Sequence, residues 1–144
     1  GSKGQLPIIS QRPSFLHMVD EHIRIEVVDD EADVLRAMQR LLRSSGYDVD
    51  VYANGEAFLH SVAGDCPDCP DCLLLDLHMP GISGFEVQAR LRASNCLVPV
   101  VVITGHDTSA AEGRAMAGGA VAFLRKPVDG ELLLATIERA IGAG

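Results

Sequence analysis

The chain has 144 residues, 47% of them hydrophobic, few aromatics and a formal net charge of −8. That length and apolar content suit one compact domain with a real core. The acidic balance argues against extended contact with a nucleic-acid backbone by this domain and favours a pocket that welcomes a divalent cation.

No stretch approaches the roughly 20 apolar residues of a membrane span, and no secretory pattern opens the chain. The first residues, "GSKGQLPIISQRPSFLH", are polar, aperiodic and carry two prolines. Gly1-Ser2 reads as a cloning scar and Met18 as a native start. Residues 1–17 are therefore set apart as a tag or an N-terminal arm, and residues 18–144 are taken as the domain.

Residues 23–28, "IRIEVV", predict a strand that begins by alternating and becomes fully buried. Val34, Leu35, Met38, Leu41 and Leu42 then fall on one helical face, with Asp30 or Glu31 at the start suiting the helix dipole. Gly46 stops that helix, and a strand follows over 47–52. A short helix over 54–63 carries Phe58, Leu59 and Val62. "CLLLD" at 72–76 is the third strand, and 84–94 a helix with Phe85, Val87 and Leu91 inward. A fourth, β-branched strand spans 98–105. Residues 108–117 form a weak helix of small residues interrupted by Gly113. A fifth strand covers 120–127, and the last helix 130–141 places Leu133, Ile137 and Ile141 four apart; the run Leu132–Leu134 reads as core.

Strands alternating with helices require a parallel sheet covered by helices on both faces, in three layers α/β/α. In such a sheet, function gathers at the carboxyl ends of the strands. Strand one ends in Asp29 and Asp30, strand three in Asp76, strand four in Thr104-Gly105-His106 and strand five in Lys126-Pro127. Each alone has a plain explanation: a helix cap, a turn former, a strand end. Together they would crowd three carboxylates at one edge, where like charges call for a cation, and hard oxygen donors favour Mg²⁺ over zinc. A hydroxyl and a lysine beside a metal can hold the oxygens of a phosphoryl group.

With "VVDDE" at 27–31, "LLLDLHMPGISG" at 73–84, "VVVITG" at 100–105 and "FLRKP" at 123–127, the chain resembles the receiver domains of bacterial two-component response regulators over residues 22–142. It is similar in particular to regulators that carry a helix-turn-helix output. The resemblance implies a flavodoxin-like, doubly wound sheet of five parallel strands with five helices. It implies that Asp76 accepts a phosphoryl group from a sensor histidine kinase. Asp30, Asp76 and the backbone carbonyl of His78 would ligate Mg²⁺, with Asp29 holding metal-bound water. Thr104 and Lys126 would bind phosphoryl oxygens, Phe123 would be the switch aromatic, and the Lys126–Pro127 bond would be cis. His78 and His106 would rim the pocket and tune loss of the phosphoryl group. Output would pass through the face of the fourth helix, fifth strand and fifth helix, which is also the expected homodimer surface. A cytoplasmic protein acting in transcription is implied, its DNA-binding domain lying outside this chain. Self-phosphorylation and autodephosphorylation are expected, and turnover of a free substrate is not.

Rival readings stay open beside this one. A haloacid-dehalogenase type phosphatase also uses an aspartate after a strand, but needs a second aspartate where this chain has His78. A degenerate receiver that only binds proteins usually lacks an acid or the lysine, and none is missing here. The receiver of a hybrid histidine kinase would look the same. "CPDCPDC" spaces Cys66, Cys69 and Cys72 like zinc ligands, with Cys96 a neighbour through strands three and four; an ordinary loop with a stray disulfide is the alternative. These cysteines fall at the opposite end of the sheet from Asp76. His17, His22 and His60 carry no motif.

Overall fold

The computed structural model describes residues 23–63, 69–105 and 109–143. Strands and helices alternate along it: β1 Arg24–Val28, α1 Ala32–Ser44, β2 Asp48–Tyr52, α2 Gly55–Ser61, β3 Cys72–Leu75, α3 Gly84–Ala93, β4 Val100–Thr104, α4 Ser109–Ala117, β5 Ala122–Arg125 and α5 Gly130–Ala143. The strands form one parallel sheet in the order β2-β1-β3-β4-β5. No helix among the described residues is long and apolar enough to cross a membrane.

Two cores sandwich the sheet, and the period of two along each strand assigns residues to them. Val28, Leu73, Leu75, Val100 and Val102 face α2, α3 and α4, packing with Phe58, Val87, Leu91 and Ala115. Ile25, Val27, Leu74, Val101 and Ile103 face α1 and α5, packing with Leu35, Met38, Leu42, Leu133 and Ile137. Burial on both faces explains why β3 and β4 read as unbroken apolar runs, while the edge strands β2 and β5 are only partly covered.

Helix ends follow local chemistry. Asn54 accepts the Ala57 N–H at 2.8 Å and caps α2, so that helix starts one residue later than its apolar pattern suggests. Gly46, at φ +96°, takes the left-handed turn that ends α1, as its sequence position implies. Three expectations need correction. β4 begins at Val100 rather than 98, since Pro99 has no N–H to give the ladder. β5 is confined to Ala122–Arg125, short of the expected 120–127. Leu132 is 47% exposed and not core, whereas Leu133 is buried; three consecutive helical positions cannot all face one sheet.

The topology has a reversal point. From β1 the chain moves outward to β2, then crosses back over β1 to reach β3. The crevice for a ligand in such folds lies above the carboxyl ends at that reversal, between β1 and β3.

Candidate functional site

Val28 and Leu75, the last residues of β1 and β3, are register partners. The residues that follow, Asp29 and Asp76, therefore leave the sheet side by side, and the Asp76 N–H donates to the Val28 carbonyl at 3.0 Å. Thr104 pairs with Arg125 at the ends of β4 and β5, so Lys126 emerges next to them with its N–H on the Thr104 carbonyl at 3.0 Å. The Lys126–Pro127 peptide is cis.

The side chains converge. Lys126 Nζ stands 2.8 Å from Asp29 Oδ2, 2.7 Å from Glu31 Oε1 and 3.5 Å from Asp76 Oδ2. Asp29, Asp30 and Asp76 each bring a carboxylate oxygen within 4.8 Å of the others, and this is the one cluster of metal-ligating side chains among the described residues. Asp29 and Asp76 are buried, at 2% and 5% exposure, while Asp30 is open to solvent. Asp29 Oδ1 accepts the Glu31 N–H and Asp76 Oδ1 accepts the Leu77 N–H, both at 2.8 Å. The α1 N-cap is Glu31, whose side chain makes no capping bond. Neither Asp29 nor Asp30 is thus spent on capping that helix.

These surroundings oppose each other electrostatically. Burial pushes the Asp76 carboxyl above its ordinary range, and the negative charge of Asp29 adds to this; Lys126 and the N–H groups of Leu77 and His78 pull it back. For Lys126, burial alone would pull the ammonium down. Hydrogen bonds to Asp29 and Glu31 and the charges of Asp76 and Asp29 carry it above its usual value, so it stays charged at neutral pH.

Backbone packing holds Asp76 from below. Gly84, the first residue of α3, lies so close that a Cβ there would stand 2.3 Å from the Asp76 carbonyl oxygen. Its N–H donates to the Leu77 carbonyl at 2.9 Å, and Ser83 caps the helix through the Glu86 N–H. Gly84 is thus a condition for seating α3 under the loop that follows Asp76. Above, a cleft of about 640 Å³ opens between Asp76, His78 and Lys126 and runs over Val34, Met38 and Val128.

Of the residues singled out in the sequence, Asp29, Asp30, Asp76 and Lys126 meet, and exposed His78 lines the same cleft. Thr104 is fully buried at the end of β4. Phe123 is half-buried on β5 against the α2–α3–α4 core, with the Arg125 guanidinium 5.7 Å from its ring centroid. His106 and Cys66 lie outside the described residues, as do His17 and His22.

Sequence reasoning missed two features. In the sequence Glu31 reads only as a helix-dipole residue, yet it holds Lys126; its adjacency to Asp30 is the available signal. An edge-to-face contact of His78 with Phe85 (centroids 6.5 Å apart, planes at 90°), with Arg114 of α4 4.0 Å over the Phe85 ring, had no signal in the sequence.

At the amino end of the sheet, Cys69 and Cys96 form a disulfide. That removes both from the zinc reading. Cys72 is a free thiol, buried, and burial pushes its pKa up to about 12.

Comparison with known proteins bears on the family and the fold. The family model described as "Response regulator receiver domain" matches residues 25–138. Nodulation protein W of Bradyrhizobium diazoefficiens is 40% identical over 112 residues, covering 77% of this chain and 48% of that protein. Transcriptional regulatory protein FixJ of the same species is 36% identical over 117 residues, covering 81% of this chain and 56% of that protein. The chain thus spans about half the length of these relatives. A CheY-like response regulator receiver domain protein from Methanospirillum hungatei matches with a TM-score of 0.79 at 23% identity, covering 85% of this chain and 96% of that one. At that identity the likeness shows the fold alone.

Proposed function

We propose that this chain, which belongs to the response regulator receiver domain family, is a phosphorylation-operated switch with Asp76 as its acceptor. The observation that carries this reading is the meeting of a buried aspartate, two further carboxylates and a charged lysine at the reversal point of the sheet. Receiver domains are signalling modules and not turnover enzymes.

In the proposed step, an oxygen of Asp76 attacks the phosphorus of a histidine kinase's phosphohistidine. The O–P bond forms, the N–P bond breaks with its electron pair going to the nitrogen, and the histidine leaves as neutral imidazole, keeping the proton already on its other ring nitrogen. Lys126, held charged by its acidic neighbours, takes a phosphoryl oxygen, and the Thr104 hydroxyl takes another. Asp29, Asp30, Asp76 and the His78 carbonyl are the groups that would hold Mg²⁺. Their all-oxygen donor set fits that ion. Bound there, Mg²⁺ supplies neutralisation of the charge between carboxylate and phosphoryl group.

The signal would then pass outward. Thr104, drawn towards the phosphoryl group, would leave room for Phe123 to turn inward, changing the face of α4, β5 and α5. An output domain outside this chain, acting in transcription as the name of the FixJ relative suggests and taken here to bind DNA, would read that face, which would also serve as a homodimer surface. Residues 18–144 are taken as the receiver and residues 1–17 as a separate tag or arm.

The test is intact-mass spectrometry after incubation with acetyl phosphate and Mg²⁺. One phosphoryl group should add to the wild type and none to a folded Asp76→Asn variant. Equal labelling of that variant overturns the assignment.

A further inference from the structure

We propose that Glu31 is a positioning residue that restrains Lys126 and so sets how readily the site accepts a phosphoryl group. The inference rests on the reading of Asp76 as acceptor and deepens it. An ammonium group has three hydrogens to donate. Here its two shortest contacts go to Glu31 Oε1 at 2.7 Å and Asp29 Oδ2 at 2.8 Å, and Asp76 stands further off at 3.5 Å. In the resting site the lysine is thus held by two carboxylates other than the acceptor. The third hydrogen faces Asp76 from beyond ordinary hydrogen-bond distance, so the ammonium must shift towards Asp76 to take a phosphoryl oxygen there, and the shift loosens one of the two short bonds.

The two holders differ in how firmly they are fixed. The Asp29 side chain is 3% exposed, and its second oxygen is occupied by the Glu31 N–H. The Glu31 side chain is 59% exposed. Water can replace what Glu31 gives the lysine, but cannot easily reach Asp29, so Glu31 is the partner that yields. It also reaches across from the start of α1 to the end of β5, 95 residues away in sequence. Because its side chain makes no capping bond to α1, removing its charge leaves the helix start intact. Glu31 thus competes with the phosphoryl group for one ammonium, and the competition favours the unphosphorylated state.

The test measures binding of beryllofluoride with Mg²⁺, and the rate of labelling by acetyl phosphate, in wild type, Glu31→Gln, Asp33→Asn and Asp76→Asn. Asp33 is a nearby exposed acid on α1 that pairs with Arg36 and not with Lys126. Glu31→Gln should bind beryllofluoride roughly two- to five-fold more tightly, the range implied by losing a partly exposed ion pair, and should label faster. Asp33→Asn should match the wild type. The Lys126 side-chain ammonium resonance, in ¹⁵N-lysine protein, should move in Glu31→Gln and stay in place in Asp33→Asn. Unchanged affinity in Glu31→Gln, or an equal gain in Asp33→Asn, overturns the role of Glu31 while leaving the acceptor in place. Equal beryllofluoride binding by wild type and Asp76→Asn overturns the acceptor reading itself.

Discussion

At the carboxyl end of the sheet, Asp29, Asp76 and Lys126 bring three charges together with almost no exposure of the two acids. At the amino end, 27 residues apart in sequence, Cys69 and Cys96 are joined covalently, and Asp71 and Arg24 exchange hydrogen bonds of 2.8 and 2.9 Å across the first turns of the strands. The first end is held by charges whose balance shifts with whatever binds there. The second is held by bonds indifferent to ligand. A switch needs both, because a site can only move its surroundings if the far end of the same strands stays fixed. The division predicts that changes at the amino end alter stability without altering chemistry, and that changes at the carboxyl end couple the two.

The largest effect is expected from the amino end. A cross-link closing a loop of this length stabilises by about 3.6 kcal/mol through the unfolded state. Oxidised wild type compared with Cys96→Ser in urea unfolding should show a loss of that order. Acetyl phosphate labelling of Asp76 should proceed at the same rate in both. A labelling rate that falls with the disulfide would erase the contrast between the two ends.

Gly84→Ala should strike both properties at once. Its new Cβ would sit against the Asp76 carbonyl, so the acceptor loop or α3 must shift, at a cost of about 1–3 kcal/mol. Labelling should slow as Asp76 is displaced. Gly113→Ala is the control, since nothing stands within 4 Å of a Cβ there and a helical glycine gains from the change. Thermal melts and labelling kinetics of the two variants check this; a normal labelling rate in Gly84→Ala would show that the acceptor is not seated by α3.

The same contrast shows what the sequence could reveal. The carboxyl end was legible because its groups are chemically distinctive and strand ends are easy to place: Asp29, Asp76 and Lys126 each follow a buried run. β1 and β3 were readable as strands for the same reason. Contacts set by distance in space were not. Glu31 looks like any acid at a helix start until β5 brings Lys126 to it. The cluster of His78, Phe85 and Arg114 depends on how α4 lies against α3. The amino end was half legible: Cys96 could be placed near the other cysteines, but the choice of Cys69 as partner over Cys72 depends on Cys72 pointing into the α1–α5 core. Leu132 shows the limit of composition, since an apolar run on a helix must turn some members outward.

A third, smaller effect is the response to Mg²⁺. If Asp29, Asp30 and Asp76 hold the ion, ligand linkage should stabilise the domain by about 1.4 kcal/mol at ten times Kd. Asp30→Ala should lose the shift, and Cys96→Ser should keep it in full. Melting curves with Mg²⁺ and with chelator check both. A shift surviving in Asp30→Ala would place the ion elsewhere.

The smallest effect concerns the acceptor's own charge, measured in chelator so that no cation masks it. Burial and the charge of Asp29 raise the Asp76 pKa in the folded state above its unfolded value. A folded state that holds its proton more tightly gains stability at low pH and loses it as pH rises through the raised pKa. Above that point the ionised, buried carboxylate is a standing penalty. Asp76→Asn keeps the shape and removes the charge, so it should melt higher than wild type at pH 7. The difference should shrink as pH falls through the window between the raised folded value and the ordinary carboxylate value near about 4. It should be modest, because Lys126 and the Leu77 and His78 N–H groups already offset part of the penalty. The opposite sign is informative as well. If Asp76→Asn melts lower at pH 7, the ammonium outweighs burial, and Asp76 stabilises the resting domain through Lys126. The carboxyl end would then be held as firmly as the amino end, and the contrast between a responsive end and a fixed one would fail where it matters most, at the acceptor.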